Sequence, residues 1–557
     1  MDKEEVARKF ALKNAVDYGG EANSGAVIGQ VFNEFDGKLD KAEVGKIVGK
    51  VCGEINQLSI EEQKKRLEQY EFEEEEQDHD PIPDLETEEG EQVVVRFAPN
   101  PNGAPHLGHA RGMTINGELK NKYDGKLILR YDDTDPVTKR PREEAYELQK
   151  EGFEWLGYEI DEVRYCSKNF DTYIEYAEEL IQMGKAYVSQ ASQEEMQKHR
   201  REGTASEYRD QSPEENMELW KKMRNGELDE GEAVLKVKTD LDHKNPAVRD
   251  FVAFRIIDNP DHPITGDEYR VWPLLDFQGA IEDHEMGTTH IVRGKELRAS
   301  TKRQKFIYNY FDWEYPNIRY WGNVQVSGFD APMSTSTIGE MIDEGELSGW
   351  DDPRCGTIEA LDRRGFQPDA VREFYIEMGV TENDVEASIE TLETNNRDII
   401  DHEAKRLFFV EEPVKITIKD VPENIKAEMP VHPDKPETGV REPDLNLEHG
   451  EIEVYIKERD LNNDFLRLKG LCNLEMIDGS TAEYVEGDHT VAIEKDADII
   501  HWAPVADSKE TKVHMNTGEI KEGYLENYSI DKGEIVQLER FGFAKKEKEG
   551  YYIYTHG

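Results

Sequence analysis

The stretch VVVRFAPNPNGAPHLGH, residues 93–109, decides the fold of this chain. It opens with a short apolar run at 93–97, of the kind that forms a buried strand in a parallel sheet. A loop rich in proline, asparagine and glycine follows at 98–103, and such residues mark turns. Helical patterning then continues to Leu119. A strand, a glycine-containing loop and a helix in this order open a nucleotide-binding α/β unit.

A second strand is predicted downstream, at 126–131. Its end carries DDTDP at 132–136, a cluster that is typical of a turn or a helix start. A mixed insert then interrupts the α/β pattern, which returns further along the chain. The sequence therefore predicts a Rossmann-type α/β domain in two halves, 93–184 and 269–340, with an inserted domain at 185–268.

The N-terminal residues 1–70 predict a small helical module, because apolar residues recur there at helical spacing. Loops are predicted to interrupt this module at 18–20 and at 36–37. Residues 71–92 combine two prolines with a dense run of acidic residues. Like charges at this density cannot support a core, so the segment is predicted to be an acidic linker.

The pattern changes twice after the α/β region. Residues 341–407 have helical patterning. From 408 to 557, apolar or alternating stretches such as VKITI at 414–418 are separated by glycine and asparagine turns. This alternation predicts an all-β region of one or two β-barrels.

The charge of the chain is strongly negative, with 121 Asp and Glu against 69 Lys and Arg and a formal net charge of -52. Nucleic acids bind basic surfaces, so this balance at first argues against such a partner. The acidic residues, however, are spread along the whole chain. An even acidic excess suits a salt-rich cytoplasm, where a Debye length of about 3 Å in molar salt screens the repulsion. We therefore hypothesise a halophilic source and retain a nucleic-acid partner.

Cysteine spacing and apolar runs exclude some classes of protein. The four cysteines are scattered without a CxxC pair, so no structural zinc is expected and all four are predicted to be buried. No apolar run reaches about 18 residues, so no membrane partner is expected. The N-terminus lacks the features of a secretory signal, and the protein is expected to be cytoplasmic.

Two histidines at the start of the first α/β helix point to phosphate chemistry. His106 and His109 share one helix face, and at the helix N-terminus they add donors beside the positive end of the dipole. Gly108 lets a nucleoside approach the backbone closely. The set suits a triphosphate whose α-phosphorus is attacked by a carboxylate, with catalysis by positioning and charge stabilisation. The plainer alternative is a pair of histidines that cap a turn.

These motifs resemble those of class I glutamyl- and glutaminyl-tRNA synthetases. Residues 96–109 resemble the HIGH region of that family, and LRYDDTDP at 129–136 resembles its second signature block. Further similar stretches follow in the same order: EWLG at 154–157, THIVRGK at 289–295, WDDPR at 350–354 and VQLERFGF at 536–543. The resemblance covers residues 93–557.

The resemblance implies a two-step reaction with ATP, bound with Mg²⁺, L-glutamate and tRNA as substrates. Glutamate and ATP would give glutamyl-adenylate, and the 2′-hydroxyl of the terminal tRNA adenosine would then take the glutamyl group. The insert at 185–268 would bind the acceptor end, 341–407 the tRNA stem and 408–557 the anticodon. The β-rich tail is similar to that of the archaeal branch, so the chain is expected to be an archaeal-type member, with a haloarchaeal source suggested by its charge.

The resemblance also implies a set of site residues. Those expected to act in catalysis are His106, His109, Ser334, Thr335 and Ser336. Those expected to bind the amino acid are Arg96, Asn100, Asp132 and Arg293. Those expected to bind ATP are Pro99, His106, Gly108, His109 and Met333. No metal held by the protein itself is expected.

The amino-acid set agrees with the charges of glutamate, which carries two carboxylates and one ammonium. Two arginines and one acid complement those charges. Three residues of the set also have plainer alternatives: Arg96 as a strand-end salt bridge, Asp132 as a cap, and Arg293 as a surface or structural arginine.

The chain departs from the family pattern in two places. Where relatives carry the KMSKS loop, this chain has PMSTST at 332–337, and both lysine positions are lost. Hydroxyls and backbone amides remain as phosphate contacts, and the missing charge is expected from Mg²⁺ or from another base, with Lys295 and Arg298 as candidates. Where many relatives carry an amino-acid-binding tyrosine, this chain has Leu275, and Trp272 is a candidate to fill the space.

Glutamate is expected rather than glutamine, because the glutamine branch lacks an arginine at the position of Arg293. A buried guanidinium facing a neutral amide would be poorly compensated. Archaeal members commonly load tRNA-Gln as well as tRNA-Glu, so that second partner stays open. Three alternatives also stay open: a glutaminyl-tRNA synthetase, a small-molecule adenylyltransferase with the same HxGH motif, and a tRNA-binding paralogue that has lost catalysis.

Overall fold

The computed structural model describes residues 3–17, 20, 22–25, 27–28, 31, 41–67, 69–70 and 82–557. The chain forms two compact units, of which the first ends at Asp80 and the second begins at Pro81. Both units have apolar cores of their own.

The first unit is helical, as its apolar spacing predicts. Its helices in the described part are α1 (Lys3–Asp17), α2 (Lys41–Ile55) and α3 (Ile60–Leu67). Leu12 and Val48 are at most 1% exposed and belong to one core. The predicted loops at 18–19 and 36–37 and the first part of the predicted linker, 71–81, lie outside the described residues.

The second unit begins with a parallel sheet of three strands, in the order β1 (Val94–Phe97), β2 (Lys126–Tyr131) and β3 (Glu162–Tyr165). The connecting helices are α4 (Leu107–Tyr123) and α5 (Glu143–Trp155). Val95, Leu127 and Leu129 are fully buried in the same core as Leu107. Residues 93–131 therefore fold as the predicted strand, loop, helix and strand.

An antiparallel sheet interrupts the α/β domain. After α6 (Phe170–Gln182), its strands in spatial order are β4 (Ala186–Ser189), β5 (Val234–Val237), β6 (Phe251–Ile256) and β7 (Val271–Pro273). Helices α7 (Gln193–Glu202) and α8 (Pro213–Asn225) lie between β4 and β5 in the chain. The predicted insert therefore ends too early at 268, because β7 pairs with β6. A three-residue strand is too short for an apolar pattern to reveal.

The α/β domain resumes after the insert with α9 (Leu275–Glu285), β8 (His290–Gly294), α10 (Arg298–Phe311), β9 (Asn317–Trp321), β10 (Val324–Ser327) and α11 (Thr335–Asp343). β8 and β9 pair in parallel. Thr289 joins β8 to β1, since its N–H donates to Val94 O (3.0 Å) and its hydroxyl accepts from Val94 N–H (2.8 Å). The carboxyl ends of these strands meet at one edge, which is where open α/β sheets bind ligands.

The second half of the predicted acidic linker packs against the α/β domain. Ile82 and Leu85 are buried in its core. Leu85 N–H donates to the Tyr123 hydroxyl (2.7 Å), and Arg319 donates to Asp84 O (2.6 Å). The prediction of a linker is therefore wrong for this half, because two apolar residues among the acidic ones are enough to reach the core.

The region after the α/β domain contains α12 (Ile358–Arg364), α13 (Pro368–Met378), β11 (Val385–Ser388) and α14 (Ile389–Ile400). It is mainly helical, but β11 pairs in parallel with β10 of the α/β domain in a two-stranded sheet. The predicted end at 407 is late, because β12 (Lys405–Leu407) already pairs with a strand of the C-terminal sheets.

The all-β region has one further helix, α15 (His489–Glu494). Its remaining strands are β13 (Phe409–Glu411), β14 (Pro413–Lys419), β15 (Met429–Pro430), β16 (Val440–Arg441), β17 (Ile452–Lys457), β18 (Phe465–Leu468), β19 (Asn473–Asp478), β20 (Thr481–Glu486), β21 (Asp498–Ile500), β22 (Ala503–Pro504), β23 (Ser508–His514), β24 (Ile520–Glu526), β25 (Ile535–Leu538), β26 (Gly542–Lys548) and β27 (Tyr551–His556).

Fourteen strands from β12 onward form two seven-stranded sheets, while β15 and β16 pair only with each other. The first has the order β12-β25-β26-β27-β23-β24-β13, and its two edge strands are separated only by Phe408, so the edges meet. The second has the order β21-β18-β19-β20-β14-β17-β22, and its edges are separated only by His501 and Trp502. Because closure removes unpaired sheet edges, this arrangement confirms the predicted β-barrels.

Two smaller predictions concern side-chain burial and membrane helices. All four cysteines are free and buried, as expected. Within the described ranges, no helix has the length and apolar character needed to cross a bilayer.

Candidate active site

Helix α4 begins at the two histidines that the sequence singles out. His106 is the N-cap residue, with an extended backbone (φ -110°, ψ 176°). Backbone hydrogen bonds from a distant segment hold this start in place: Leu107 N–H donates to Gly356 O (3.0 Å), and Ile358 N–H donates to Pro105 O (2.9 Å). The turn before α12 therefore fixes where α4 begins.

The two imidazoles are neutral hydrogen-bond donors. Nδ1 of His106 accepts from Gly108 N–H (2.9 Å), and Nδ1 of His109 accepts from His106 N–H (3.2 Å). A ring nitrogen that accepts carries no proton, so the proton of each ring lies on Nε2. Burial lowers the pKa of His106 to about 4 and is the main reason that the pKa of His109 lies well below its usual range. The ring centroids are 4.1 Å apart, so the two rings lie side by side.

A cavity of about 700 Å³ opens beside these rings. Its walls include His106, Gly108 and His109 from α4 and most of the segment 321–333, with Met333 at its end. A Cβ at position 108 would lie 2.7 Å from the His106 ring, so glycine permits the bond between this ring and the backbone N–H. The cavity thus unites four of the residues predicted for ATP.

Arg111 is a further cavity residue, and the sequence does not single it out. It is 2% exposed and donates to Gly322 O (2.8 Å) and Gly379 O (3.0 Å) while lying over the Trp321 ring. Burial lowers the pKa of its guanidinium. The residue ties α4 to the 321–333 wall.

The predicted loop residues begin helix α11. The Ser334 hydroxyl caps this helix and accepts from Thr337 Oγ1 (3.0 Å). Ser336 Oγ accepts from Asn102 Nδ2 (2.9 Å), which links the helix to the loop after β1. Thr335 is 7% exposed, and its Oγ1 has no hydrogen-bond partner. Unlike Met333, these three residues do not line the cavity.

A second cluster lies at the carboxyl ends of β1 and β2, centred on Asp283 of α9. This carboxylate is 1% exposed and accepts from Arg96 Nε (3.0 Å) and Arg130 Nη1 (2.8 Å). Arg130 also donates to both oxygens of Asp132, from Nε (2.7 Å) and Nη2 (3.2 Å). Burial raises the pKa of Asp283, but the charges of the arginines outweigh burial, so the net pKa lies below its usual range.

Asp132 is held from several sides. Gln278 Nε2 (3.0 Å) and the Cys166 thiol (3.5 Å) donate to its carboxylate. Its backbone N–H donates to Pro99 O (2.9 Å), and its backbone O accepts from Asn100 Nδ2 (2.9 Å). Asn100 Oδ1 is buried without a hydrogen-bond partner. The Oδ1 of Asn100 is therefore a free hydrogen-bond acceptor beside the Asp132 carboxylate.

Arg293 joins the second cluster through its charge. It is 7% exposed, and its Nη2 donates to Thr301 Oγ1 (2.6 Å), Gln304 Oε1 (3.0 Å) and the Tyr315 hydroxyl (3.1 Å). Its Nε is buried without a partner. Its charge also contributes to the lowered pKa of Asp283.

The two clusters adjoin across β1 rather than sharing one cavity. Side chains alternate along a strand, so Phe97 packs with its ring 6.4 Å from that of His109, whereas Arg96 points to Asp283. Neither Arg96 nor Arg293 lines the histidine cavity. The two groups therefore lie on neighbouring sides of β1, and the histidine cavity does not include the two arginines.

The two cations suggested as substitutes for the loop lysines are already paired. Lys295 forms an ion pair with Asp384 (2.8 Å), and Arg298 forms one with Glu382 (2.6 Å). Such pairs lower the tendency of either cation to reach a triphosphate, so the structure does not favour them as substitutes.

The structure adds Arg130, Asp283 and Gln304 to the site. Arg130 lies within the quoted second signature block, so a search for charges next to Asp132 could have found it. Asp283 carries no local signal, since its partners Arg96 and Arg130 are remote in sequence, and no motif of the sequence marks Gln304. Trp272 is buried in a separate small core, so it does not fill the space beside Leu275, which is 46% exposed.

The insert gathers cations that are unusual in so acidic a chain. Lys236 on β5 is 4% exposed, and burial lowers its pKa to about 8. Arg200 has its pKa lowered by burial and by the charge of Arg303. Arg209 donates to Asp250 (2.8 Å). These cations form a local cluster, although acidic residues outnumber basic ones over the whole insert, and a cluster of cations suits a phosphate backbone.

A second cavity, of about 490 Å³, lies in the all-β region, and its walls carry both cations and the carboxylates of Asp401, Glu428 and Glu539. Arg406, Arg441, Lys469 and Arg540 line it together with Gln537. Arg406 Nη2 donates to Asp401 (2.9 Å), and Arg540 Nη1 donates to Ile499 O (2.7 Å). Guanidinium and amide groups around a cavity of this size suit the edge of an unpaired base.

Family models identify both parts of this arrangement. The model of class I tRNA synthetases (E and Q), catalytic domain, matches residues 92–402, and the model of their anti-codon binding domain matches 404–492. The chain belongs to the class I E and Q tRNA synthetase family. The resemblance drawn from the motifs is thereby confirmed, and the archaeal relatives described next support its archaeal form.

Full-length relatives from archaea are similar to this chain. The glutamate–tRNA ligase of Pyrococcus furiosus is 45% identical, over 98% of each chain. That of Archaeoglobus fulgidus is 44% identical over 99% of this chain and 100% of its own, and that of Haloarcula marismortui is 41% identical over 98% and 96%. A crystal structure of a glutamate tRNA ligase from Elizabethkingia meningosepticum aligns with a TM-score of 0.39 and 22% identity over 56% of this chain and 70% of that one.

Proposed function

We propose that the protein ligates L-glutamate to tRNA-Glu through a glutamyl-adenylate. The observation that carries this proposal is the buried cluster around Asp283. Arg96, Arg130 and Arg293 carry three positive charges there, against two negative charges on Asp132 and Asp283. A ligand of net charge -1 balances such a site, and free glutamate carries that charge. Neutral glutamine would leave one guanidinium uncompensated.

Unsatisfied polar atoms in this cluster match the groups of glutamate. The Nε of Arg293 is a buried donor without a partner, and the Oδ1 of Asn100 is a buried acceptor without a partner. Such orphaned groups each cost about 1–3 kcal/mol, so a bound molecule is expected to satisfy them. We assign a carboxylate of glutamate to Arg293, the other carboxylate to Arg96, and the ammonium to Asn100 and Asp132.

We assign the histidine cavity to ATP. The two Nε2–H groups of His106 and His109 would donate to phosphate oxygens, with Gly108 and Met333 in the walls and Ser334, Thr335 and Ser336 at the start of α11. A carboxylate oxygen of glutamate attacks the α-phosphorus, and the bond to pyrophosphate breaks. Neutral donors of this kind stabilise charge that develops in the transition state. Mg²⁺ would arrive with the triphosphate and offset part of its charge.

The second step transfers the glutamyl group to tRNA. The 2′-hydroxyl of the terminal adenosine attacks the acyl carbon, and AMP leaves. We assign the acceptor end to the insert, residues 185–273, because of its cations. The barrels would take the anticodon, with a base in the cavity lined by Arg406 and Arg540. Residues 341–404 would contact the stem, and the enzyme would act in the cytoplasm.

ATP–pyrophosphate exchange in molar KCl tests this proposal. Exchange that needs both glutamate and tRNA is the expected result, and charging of purified tRNA-Glu should follow. Exchange with glutamine alone would instead favour a glutaminyl-tRNA synthetase. Absence of exchange with either amino acid would favour a tRNA-binding paralogue. The loss of both lysines from the loop at 332–337 is the reason to test that alternative. Charging of tRNA-Gln with glutamate is measured in parallel.

A further inference from the structure

The side chains that accept hydrogen bonds from Arg293 are all neutral. Its Nη2 donates to Thr301 Oγ1, Gln304 Oε1 and the Tyr315 hydroxyl, at 2.6, 3.0 and 3.1 Å. Within the ranges that the structure describes, no carboxylate oxygen lies within 4 Å of its nitrogens. The nearby Asp283 is bound by Arg96 and Arg130 instead.

Several other buried arginines among the described residues have carboxylate partners, whereas Arg111 donates only to the backbone oxygens of Gly322 and Gly379. Arg130 pairs with Asp132 and Asp283, and Arg441 pairs with Glu526, although all of these side chains are at most 10% exposed. A chain with 121 acidic residues has no shortage of carboxylates. An amide at position 304, beside a buried guanidinium, therefore leaves a positive charge of the kind that carboxylates neutralise at Arg130 and Arg441.

Gln304 is held firmly in its place. It is 2% exposed, and the Tyr315 hydroxyl donates to its Oε1 (2.8 Å). Burial raises the pKa of Tyr315 to about 12, so the phenol keeps the proton that makes this bond. A Cβ at Gly279 of α9 would lie 3.0 Å from Gln304 Nε2 and 3.7 Å from Arg130 Nη2. Gln304 thus packs between Arg293 and the helix that carries Asp283.

We propose that Gln304 is a specificity-determining positioning residue. Its amide oxygen orients the guanidinium of Arg293 without neutralising it, which leaves the positive charge for the side-chain carboxylate of the amino acid. This inference rests on the proposed function, in which that amino acid is glutamate. A carboxylate at position 304 would satisfy Arg293 internally and remove the penalty against a neutral side chain.

Gln304→Glu tests the proposal, because the two side chains have nearly the same shape. Steady-state exchange kinetics with tRNA present should show kcat/KM for glutamate lowered about 30-fold, mainly through a higher KM for glutamate. The KM for ATP should change less than about twofold, and the preference for glutamate over glutamine should fall about tenfold or more. Gln304→Met removes the acceptor without adding charge; it should raise the KM for glutamate while keeping the preference.

Asn309→Glu is the matched control, since it makes the same change from amide to carboxylate at an exposed position of the same helix. It should leave both KM values and the preference unchanged. Unaltered glutamate KM and preference in Gln304→Glu would overturn the proposal. If Gln304→Glu fails to melt cooperatively, Gln304→Met becomes the deciding variant. An unchanged KM for glutamate, or equal rises in the KM values for glutamate and ATP, would then overturn the proposal. A wild-type protein that does not activate glutamate would instead defeat the proposed function.

Discussion

The two clusters that flank β1 differ in burial and in charge. The histidine cavity is partly open, and its main donors are neutral imidazoles whose pKa values burial lowers. The cluster around Asp283 is closed, and its ionised side chains are at most 10% exposed. Exposed phosphates can keep part of their water and counterions, whereas a buried amino acid must have its charges matched by the protein.

This difference has an energetic consequence. In the closed cluster each ion is stabilised only by its neighbours, so removal of one group leaves the others uncompensated. In the open cavity, water can replace a lost donor in the ground state, and the main loss falls on the transition state. Substitutions on the two sides should therefore differ in which kinetic constant they change.

The largest effect is expected from Arg293→Met on the closed side. Methionine keeps much of the apolar stem but removes the charge, so kcat/KM for glutamate should fall about 1000-fold, mainly through KM. The KM for ATP should stay within about twofold. Exchange kinetics with varied glutamate and varied ATP measure both constants. A comparable rise in both KM values would contradict the separation of the two clusters.

His106→Ala should produce the next largest effect, on the open side. Turnover should fall about 100-fold through lost transition-state stabilisation, while the KM for glutamate changes little. Single-turnover formation of adenylate measures this loss. His489→Ala, an exposed histidine at the start of α15, serves as the control, and unchanged turnover in His106→Ala would refute the assigned role.

Asp283→Asn should destabilise the protein and weaken amino-acid binding together. The change leaves Arg96 and Arg130 without their shared carboxylate, which costs about 3–5 kcal/mol in a buried pair. The KM for glutamate should rise about tenfold. Urea unfolding in constant KCl measures the first quantity and exchange kinetics the second. A variant as stable as the wild type would show that the buried ions are not coupled as the geometry indicates.

Salt should distinguish exposed charges from buried ones. Because the net charge of -52 is spread over the chain, raising KCl from about 0.1 to several molar should raise the Tm by tens of degrees through screening. The KM for glutamate should change less than the KM for ATP, since its partners are buried. A flat or falling Tm would rule out the halophilic hypothesis.

Of these changes, acidification from pH 8 to about 5.5 should have the smallest effect on activity. The folded state lowers the pKa of His106 to about 4 from an ordinary value of 6.5, so the imidazole stays neutral and keeps accepting from Gly108. As pH falls, the unfolded chain binds this proton at a higher pH than the folded protein does. The free energy of unfolding therefore decreases as pH falls from about 6.5 towards 4. An inflection of exchange activity near pH 6.5 that His106→Ala abolishes would contradict this.

Much of the architecture was predictable, because it depends on local repeats. The spacing of apolar residues reveals α1, α2 and the strand, loop and helix over 93–123, and alternation reveals the barrel strands. Two short strands were not predicted, because β7 and β12 have only three residues each. The burial of Ile82 and Leu85 was not predicted, because two apolar residues among many acidic ones form no apolar pattern.

The sequence by itself determined the family, the order of its domains and the residues at the start of α4. Tertiary structure alone decided how those residues group. Arg96 and Asp283 are 187 residues apart in the chain, and no periodicity records that they meet. The neutral hydrogen-bond partners of Arg293 are likewise determined by the packing of α9 and α10, and residue spacing does not predict them. Local patterns select elements, whereas charge compensation in a buried site depends on which remote side chains the fold brings together.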